Sequence, residues 1–189
     1  MATTEPIRDK NQLRELMSYF KNTDRRNHVL VNMGINTALR ISDILSLKTD
    51  DVYDYKGRRV RKTIHLKEQK TGKSKTIAVN NQLAKALDLY FPLTSPGQAL
   101  ISNSRTGKAL TRTQAYRIIR DAGADLGIGH ISCHSLRKTF GYHSWKSGTP
   151  TAVIMEIYNH SNFEVTRRYL GVAQDDKDEA YMNFCDFCA

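Results

Sequence analysis

Tyr169 stands directly behind Arg167 and Arg168 in FEVTRRYLGV, nine residues after His160 in YNHSN. A phenol with a pKa near 10 is a poor nucleophile at neutral pH, so a reactive tyrosine needs cations that favour phenolate and a base to take its proton. Upstream residues could supply both. Arg40 lies in TALRISDILSL among apolar neighbours, where an unpaired charge is costly and must find a counter-ion or an anionic ligand; Asp43, one turn on, is a candidate partner. His134 and Arg137 are three apart in HSLRKTFG at a helix start, projecting from one face beside the positive end of the helix dipole. Guanidinium groups keep their charge and grip phosphate oxygens through paired hydrogen bonds, so these types suit a site for an anionic, phosphate-like substrate. Each piece alone has an ordinary reading: a solvated basic face for HxxR, a loop histidine, a packing aromatic, a basic turn for Lys70-Thr71-Gly72-Lys73.

The elements that must hold these residues follow from periodicity. DKNQLRELMSYFKN, capped by Asp9, predicts a first helix, and DRRNHVLVNMGINTAL a second with a broad apolar stripe. ISDILSL adds a short third, so helices converge on Arg40. From Arg59 to Val79 the runs RVRKTIHLKEQ and SKTIAV, split by the KTGK turn, predict a hairpin or small antiparallel sheet. Helices resume at NNQLAKALDLYF and at TRTQAYRIIRDAGADLGI, which Gly127 and Gly129 end. Three short helices then carry His134, the segment before His160, and Tyr169. The fold class is mainly α with a small antiparallel β-sheet.

A chain of 189 residues, 40% of them hydrophobic, can bury its own core as one domain. Lys plus Arg outnumber Asp plus Glu by 29 to 19, a net charge of +10 that favours an anionic partner such as nucleic acid. No signal peptide or apolar run of about 18 residues is visible, which points to a soluble cytoplasmic protein. Cys133, Cys185 and Cys188 make an odd set unsuited to a disulfide framework and read as reduced thiols.

Taken in order, TALRISD, KTGK, HSLRKTFG, NHSN and RRYLG resemble the catalytic domain of the tyrosine recombinase (phage integrase) family, over about Arg8 to Val172. The resemblance implies a recombinase catalytic-domain fold for residues 1–173, with 174–189 a C-terminal tail, and an enzyme that cuts and rejoins DNA through a covalent 3′-phosphotyrosine. It implies roles as well. Arg40 and Arg137 bind phosphate, Asp43 is the acidic residue three positions after the first arginine, His134 and His160 are the two histidines, and Tyr169 is the nucleophile. The lysine falls on Lys70, with Lys73 the close rival. No cofactor and no metal is called for, since fixed guanidinium groups supply the charge stabilisation. The partner is double-stranded DNA, to which the enzyme would be bound at the nucleoid, monomeric when free and a tetramer on paired sites. Asn159 departs from the family, where a glycine commonly precedes the second histidine. The helical core-binding domain that usually precedes this domain is not seen.

Two alternatives share these features: a type IB topoisomerase-like enzyme acting on one duplex, and a DNA-binding module without activity. The tail, acidic at DDKDE and then apolar at Ala180, Tyr181, Phe184 and Phe187, reads as an amphipathic helix that either folds back on its own subunit or docks on a neighbouring one.

Overall fold

The computed structural model describes residues 4–172 and 174–182. Asp9 opens the first helix, α1 (Lys10–Thr23), by accepting from the Asn11 N–H at 2.6 Å, and Asp24 opens α2 (Arg25–Thr37) by accepting from the Asn27 N–H at 3.0 Å. The second helix is buried along most of its length, from His28 to Gly34, because α1 and the later helices α5 (Asn81–Tyr90) and α7 (Cys133–Lys146) all pack on it. Leu16 and Phe20 of α1, Leu30 and Met33 of α2 and Leu83 and Leu87 of α5 are 0–2% exposed. Each such side chain contributes about 1.5–3 kcal/mol of burial.

The second helix ends where Ala38 takes the left-handed conformation (φ 55°), which turns the chain so that Arg40 becomes the N-cap residue of α3 (Ile41–Ser46). A further turn of helix, α4 (Thr49–Val52), leads into the strands. The strand-rich run divides into two two-stranded antiparallel sheets: β1 (Tyr53–Asp54) with β2 (Arg59–Val60), and β3 (Thr63–Lys67) with β4 (Ser74–Ala78). In the second, register runs from Thr63 opposite Ala78 to Lys67 opposite Ser74, and the paired Ile64 and Ile77 point into the core. Alternation along the strands then sends Glu68, four residues past Ile64, and Lys75, two before Ile77, to the same inward side.

After α5 a 3₁₀ turn (Phe91–Leu93) and a long connection lead to α6 (Arg112–Asp125), opened by a capping box between Thr111 and Gln114. Ser132 caps α7 by accepting from the His134 and Ser135 N–H groups. The remaining helices are α8 (Thr151–Tyr158), α9 (Phe163–Leu170) and α10 (Gln174–Met182). A second, smaller core of Ala38, Ile154, Tyr158 and Leu170 lies beneath α8 and α9, with Phe140, Trp145 and Tyr169 against it.

Residues 4–8 strap across α7 and α9. Ile7 N–H donates to Thr139 Oγ1 at 2.9 Å, Lys138 Nζ to the Thr4 carbonyl at 2.6 Å, and Arg8 to the Gly171 carbonyl at 2.6 Å. Gly171 ends α9 at φ 62°, and a Cβ there would lie 2.9 Å from Pro6 Cγ, so both its conformation and its space require glycine. The tail helix α10 touches its own subunit through Asp176, paired to Lys146 at 2.9 Å, while Tyr181 and Met182 are 80% and 85% exposed. Phe184, Cys185, Phe187 and Cys188 lie outside the described residues. Among the described residues no helix is long and apolar enough to cross a membrane.

Candidate active site

A cavity of about 690 Å³ opens between the start of α3, the β3–β4 turn, the N-terminal turn of α7 and α9, and Arg40, Lys70, His134, Arg137 and Tyr169 all line it. Side chains from four separate stretches of sequence thus face one space. His160 stands just behind it.

Arg137 is the most deeply held of the group, 1% exposed. Its guanidinium donates to the Ala38 carbonyl, which the left-handed turn aims at it, and to the Tyr158 carbonyl at 3.1 Å. It lies 4.6 Å over the Tyr158 ring and 5.7 Å from the centre of the Tyr169 ring. Nε is buried with no hydrogen-bond partner among the described residues. Burial, then the adjacent Arg40, pulls its pKa below the ordinary guanidinium value, a cost that an arriving anion relieves.

The expectation that Asp43 holds Arg40 meets a different arrangement. Arg40 pairs with Glu68 at 3.1 Å, while Asp43, fully buried in the first turn of α3, accepts from the Gln69 N–H at 2.8 Å. As N-cap residue Arg40 precedes the first helical turn, which lets its side chain reach the end of β3 while Asp43 reaches the backbone next to Lys70. Burial pushes the Glu68 carboxyl up, but hydrogen bonds from Thr71 at 2.7 Å and Asn159 at 3.1 Å, with the Arg40 and Lys75 cations, outweigh it and hold Glu68 ionised. Lys75 Nζ sits 4.0 Å from Glu68 and donates to the Ile157 carbonyl. Burial foremost, helped by the Arg137 and Arg40 charges, lowers its pKa to about 8.

The Tyr169 ring meets both histidines edge-on, with centroids 4.8 Å from His134 and 4.8 Å from His160. Tyr158, fully buried, is the platform beneath: it stacks on His160 at 5.1 Å, contacts Tyr169 at 5.0 Å, and donates its hydroxyl to the Arg137 carbonyl at 2.6 Å. Gly141 makes room for it, since a Cβ there would collide with the Tyr158 hydroxyl. Burial lowers the His134 pKa, aided by Lys138, Arg137 and Arg40; burial, then Arg137 and Arg40, takes His160 to about 4. Both rings are therefore neutral at pH 7. His160 Nδ1 shares a hydrogen bond with Thr166 Oγ1 at 3.1 Å, which fixes the ring against the start of α9.

The two rival lysines part company. Lys70 lines the cavity, whereas Lys73 Nζ donates to Asn159 Oδ1 at 3.0 Å. Arg168 is exposed, on the side of α9 facing Arg8 and Lys138 rather than among the cavity residues. Cys133 lines the cavity, and burial raises its thiol to about 11, which leaves it protonated and unreactive. Sequence reasoning missed Glu68, Lys75 and Tyr158, and at Asn159 it saw a departure from the family without the contacts its side chain makes. Strand alternation could have found the first two, because both share the inward parity of Ile64 and Ile77.

The model of the phage integrase family matches residues 8–176. A probable integrase/recombinase of Bacillus subtilis, YoeC, is 36% identical over 97% of this chain and 98% of its own length. Tyrosine recombinase XerD of Mycobacterium leprae is 31% identical over 76% of this chain, and there the match spans 47% of the relative, about half its length. Among solved structures, the XerH site-specific recombinase bound to palindromic difH substrate superposes with a TM-score of 0.76 over 97% of this chain and 53% of that one, at 17% identity. The order of the cavity residues along the sequence, their convergence in space and these matches agree: the chain belongs to the phage integrase family.

Proposed function

We propose that this chain is the catalytic domain of a site-specific DNA recombinase that cleaves and rejoins strands through a covalent 3′-phosphotyrosine on Tyr169. One observation carries the reading: within a single subunit the Tyr169 ring lies between two neutral histidines and beside a buried guanidinium with an unpartnered donor. That is a nucleophile already placed at an anion site.

A phosphodiester entering the cavity would meet Arg40 and Arg137, whose charges stabilise the extra negative charge that builds on the non-bridging oxygens. His160, neutral and held by Thr166, donates a hydrogen bond to one of them. His134, neutral because its pKa is lowered, accepts the phenolic proton as Tyr169 Oη attacks phosphorus. The bond to the 5′-oxygen breaks, and Lys70 protonates that oxygen as it leaves. The phosphate stays esterified to tyrosine, so a 5′-hydroxyl can attack it in reverse and reseal a strand without further energy input. Glu68 and Asp43 balance the cations of the site, and Asp43 also anchors the hairpin beside Lys70.

The net charge of +10 and the DNA-bound state of the XerH relative support double-stranded DNA as substrate. Recombination requires two duplexes, so the working assembly is a tetramer on paired sites, formed from subunits that are monomeric when free. The test is a nicked suicide duplex whose short 5′ fragment diffuses away after cleavage. Accumulation of protein covalently attached to the 3′ end supports the proposal; binding without attachment would favour the inactive DNA-binding module.

A further inference from the structure

The β3–β4 turn, residues 69–73, is exposed along its length, yet it carries the lysine that must reach a leaving oxygen. What holds it is therefore a question of mechanism. Its own hydrogen bonds close the turn locally: Gly72 N–H to the Glu68 carbonyl at 2.8 Å and Glu68 N–H to the Lys73 carbonyl at 2.9 Å. Asp43 ties it to α3. Among the described residues a further tie comes from the opposite wall, through one side chain. Asn159 Nδ2 donates to Glu68 Oε2 at 3.1 Å and approaches Thr71 Oγ1 at 3.4 Å, while its Oδ1 accepts from Lys73 Nζ at 3.0 Å. Three residues of the turn region are thus gripped by the residue next to His160.

The backbone explains why asparagine can stand there. Residue 159 caps α8 in the left-handed conformation, φ 57° and ψ 43°. Glycine adopts this at least cost, and asparagine is among the few other residues that tolerate it. Glycine would preserve the turn into His160 but could make none of the three contacts to the hairpin.

We infer that Asn159 is a positioning residue for leaving-group protonation: it clasps the β3–β4 turn to the His160 corner, holds Lys73 aside, and leaves Lys70 fixed at the cavity. The clasp couples the two walls of the site, so the acid and the phosphate-binding histidine move as one unit. This inference rests on the proposed role of Lys70.

The experiment compares single-turnover cleavage of two nicked duplexes by the full chain, one with the ordinary 5′-bridging oxygen and one with a 5′-bridging sulfur, whose thiolate leaves without protonation. Asn159→Gly keeps the backbone and removes the clasp. A displaced acid costs on the order of 10–100-fold on the oxygen substrate. The sulfur substrate should be cut within about threefold of wild type, with DNA affinity unchanged. Asn159→Asp keeps an acceptor for Lys73 but sets a carboxylate against Glu68, and should show the same oxygen-specific defect. His160→Ala should be impaired on both substrates. Wild-type rates on oxygen for both Asn159 variants, or an equal loss on oxygen and sulfur, would overturn the inference. Lys70→Ala separates the two levels. If sulfur rescues Lys70→Ala but not Asn159→Gly, the clasp fails while the acid stands. If sulfur does not rescue Lys70→Ala, the acid assignment falls and the clasp's role falls with it.

Discussion

Replacing Glu68 by glutamine keeps its shape and removes its charge. In the native site this carboxylate, whose side chain is 1% exposed, faces Arg40 at 3.1 Å and Lys75 at 4.0 Å and accepts from Thr71 and Asn159. Removing one partner of a buried ion pair costs about 3–5 kcal/mol, because the other charge is left uncompensated. Two features reduce that figure. The Arg40 side chain is 21% exposed, and the substituted amide can still accept from Thr71 and Asn159 through its remaining oxygen. A net loss of about 2–3 kcal/mol follows, which lowers the melting temperature of a chain this size by about 5–10 °C. Inorganic phosphate or vanadate should restore more stability to Glu68→Gln than to wild type, because the bound anion replaces the missing negative charge beside Arg40 and Arg137. Thermal unfolding followed by circular dichroism, with and without the anion, reads both effects. A variant melting within about 1 °C of wild type, or one that gains no more from the anion, would refute the reasoning that Glu68 is the counter-ion of the phosphate site.

Gly141→Ala should gain about 1 kcal/mol of helix propensity but lose about 2–4 kcal/mol by displacing Tyr158 and its hydroxyl bond to the Arg137 carbonyl, so it melts lower and cleaves more slowly; a variant more stable than wild type would show that the Tyr158 platform is loose. The imidazole resonances of His160 in the DNA-free protein should titrate near pH 4, with a midpoint at 6 or above contradicting its buried, cation-flanked setting. Because this folded pKa lies below the ordinary 6.5, the unfolded chain binds more protons between them, and that part of the stability, complete above about pH 6.5, should be lost as pH falls toward 4. Deleting residues 175–189 removes the Asp176–Lys146 pair and should leave binding to a single site unchanged while reducing cooperative assembly on paired sites; loss of the melting transition would show instead that the tail's contacts with its own subunit hold the fold together.

What the sequence made legible was local. The cap at Asp9 and the apolar spacing along the chain mark helices that the structure contains, and the ordered motifs marked the residues that meet in the cavity. Partners across the fold were not legible. Arg40 sits three residues from Asp43 and 28 from Glu68, and sequence distance favours the wrong one; only the β3 register brings Glu68 beneath the guanidinium. The partner of Lys73 was likewise not legible: it is Asn159, 86 residues further on, whose left-handed backbone suits the glycine common at that place but whose side chain makes a contact glycine cannot. Tyr158 reads as one more apolar position of α8 until Gly141 is seen to admit its hydroxyl.

Every role proposed for this site depends on Tyr169 being the nucleophile. To test that, the covalent complex is trapped on a nicked duplex, protein and DNA are digested, and the modified peptide is mapped by mass spectrometry. The expected result is a 3′-linked nucleotide on Tyr169 and no adduct from a folded, DNA-binding Tyr169→Phe variant. An adduct on Tyr142, Tyr158 or Tyr181, linkage to a 5′ end, or continued attachment by Tyr169→Phe would contradict it.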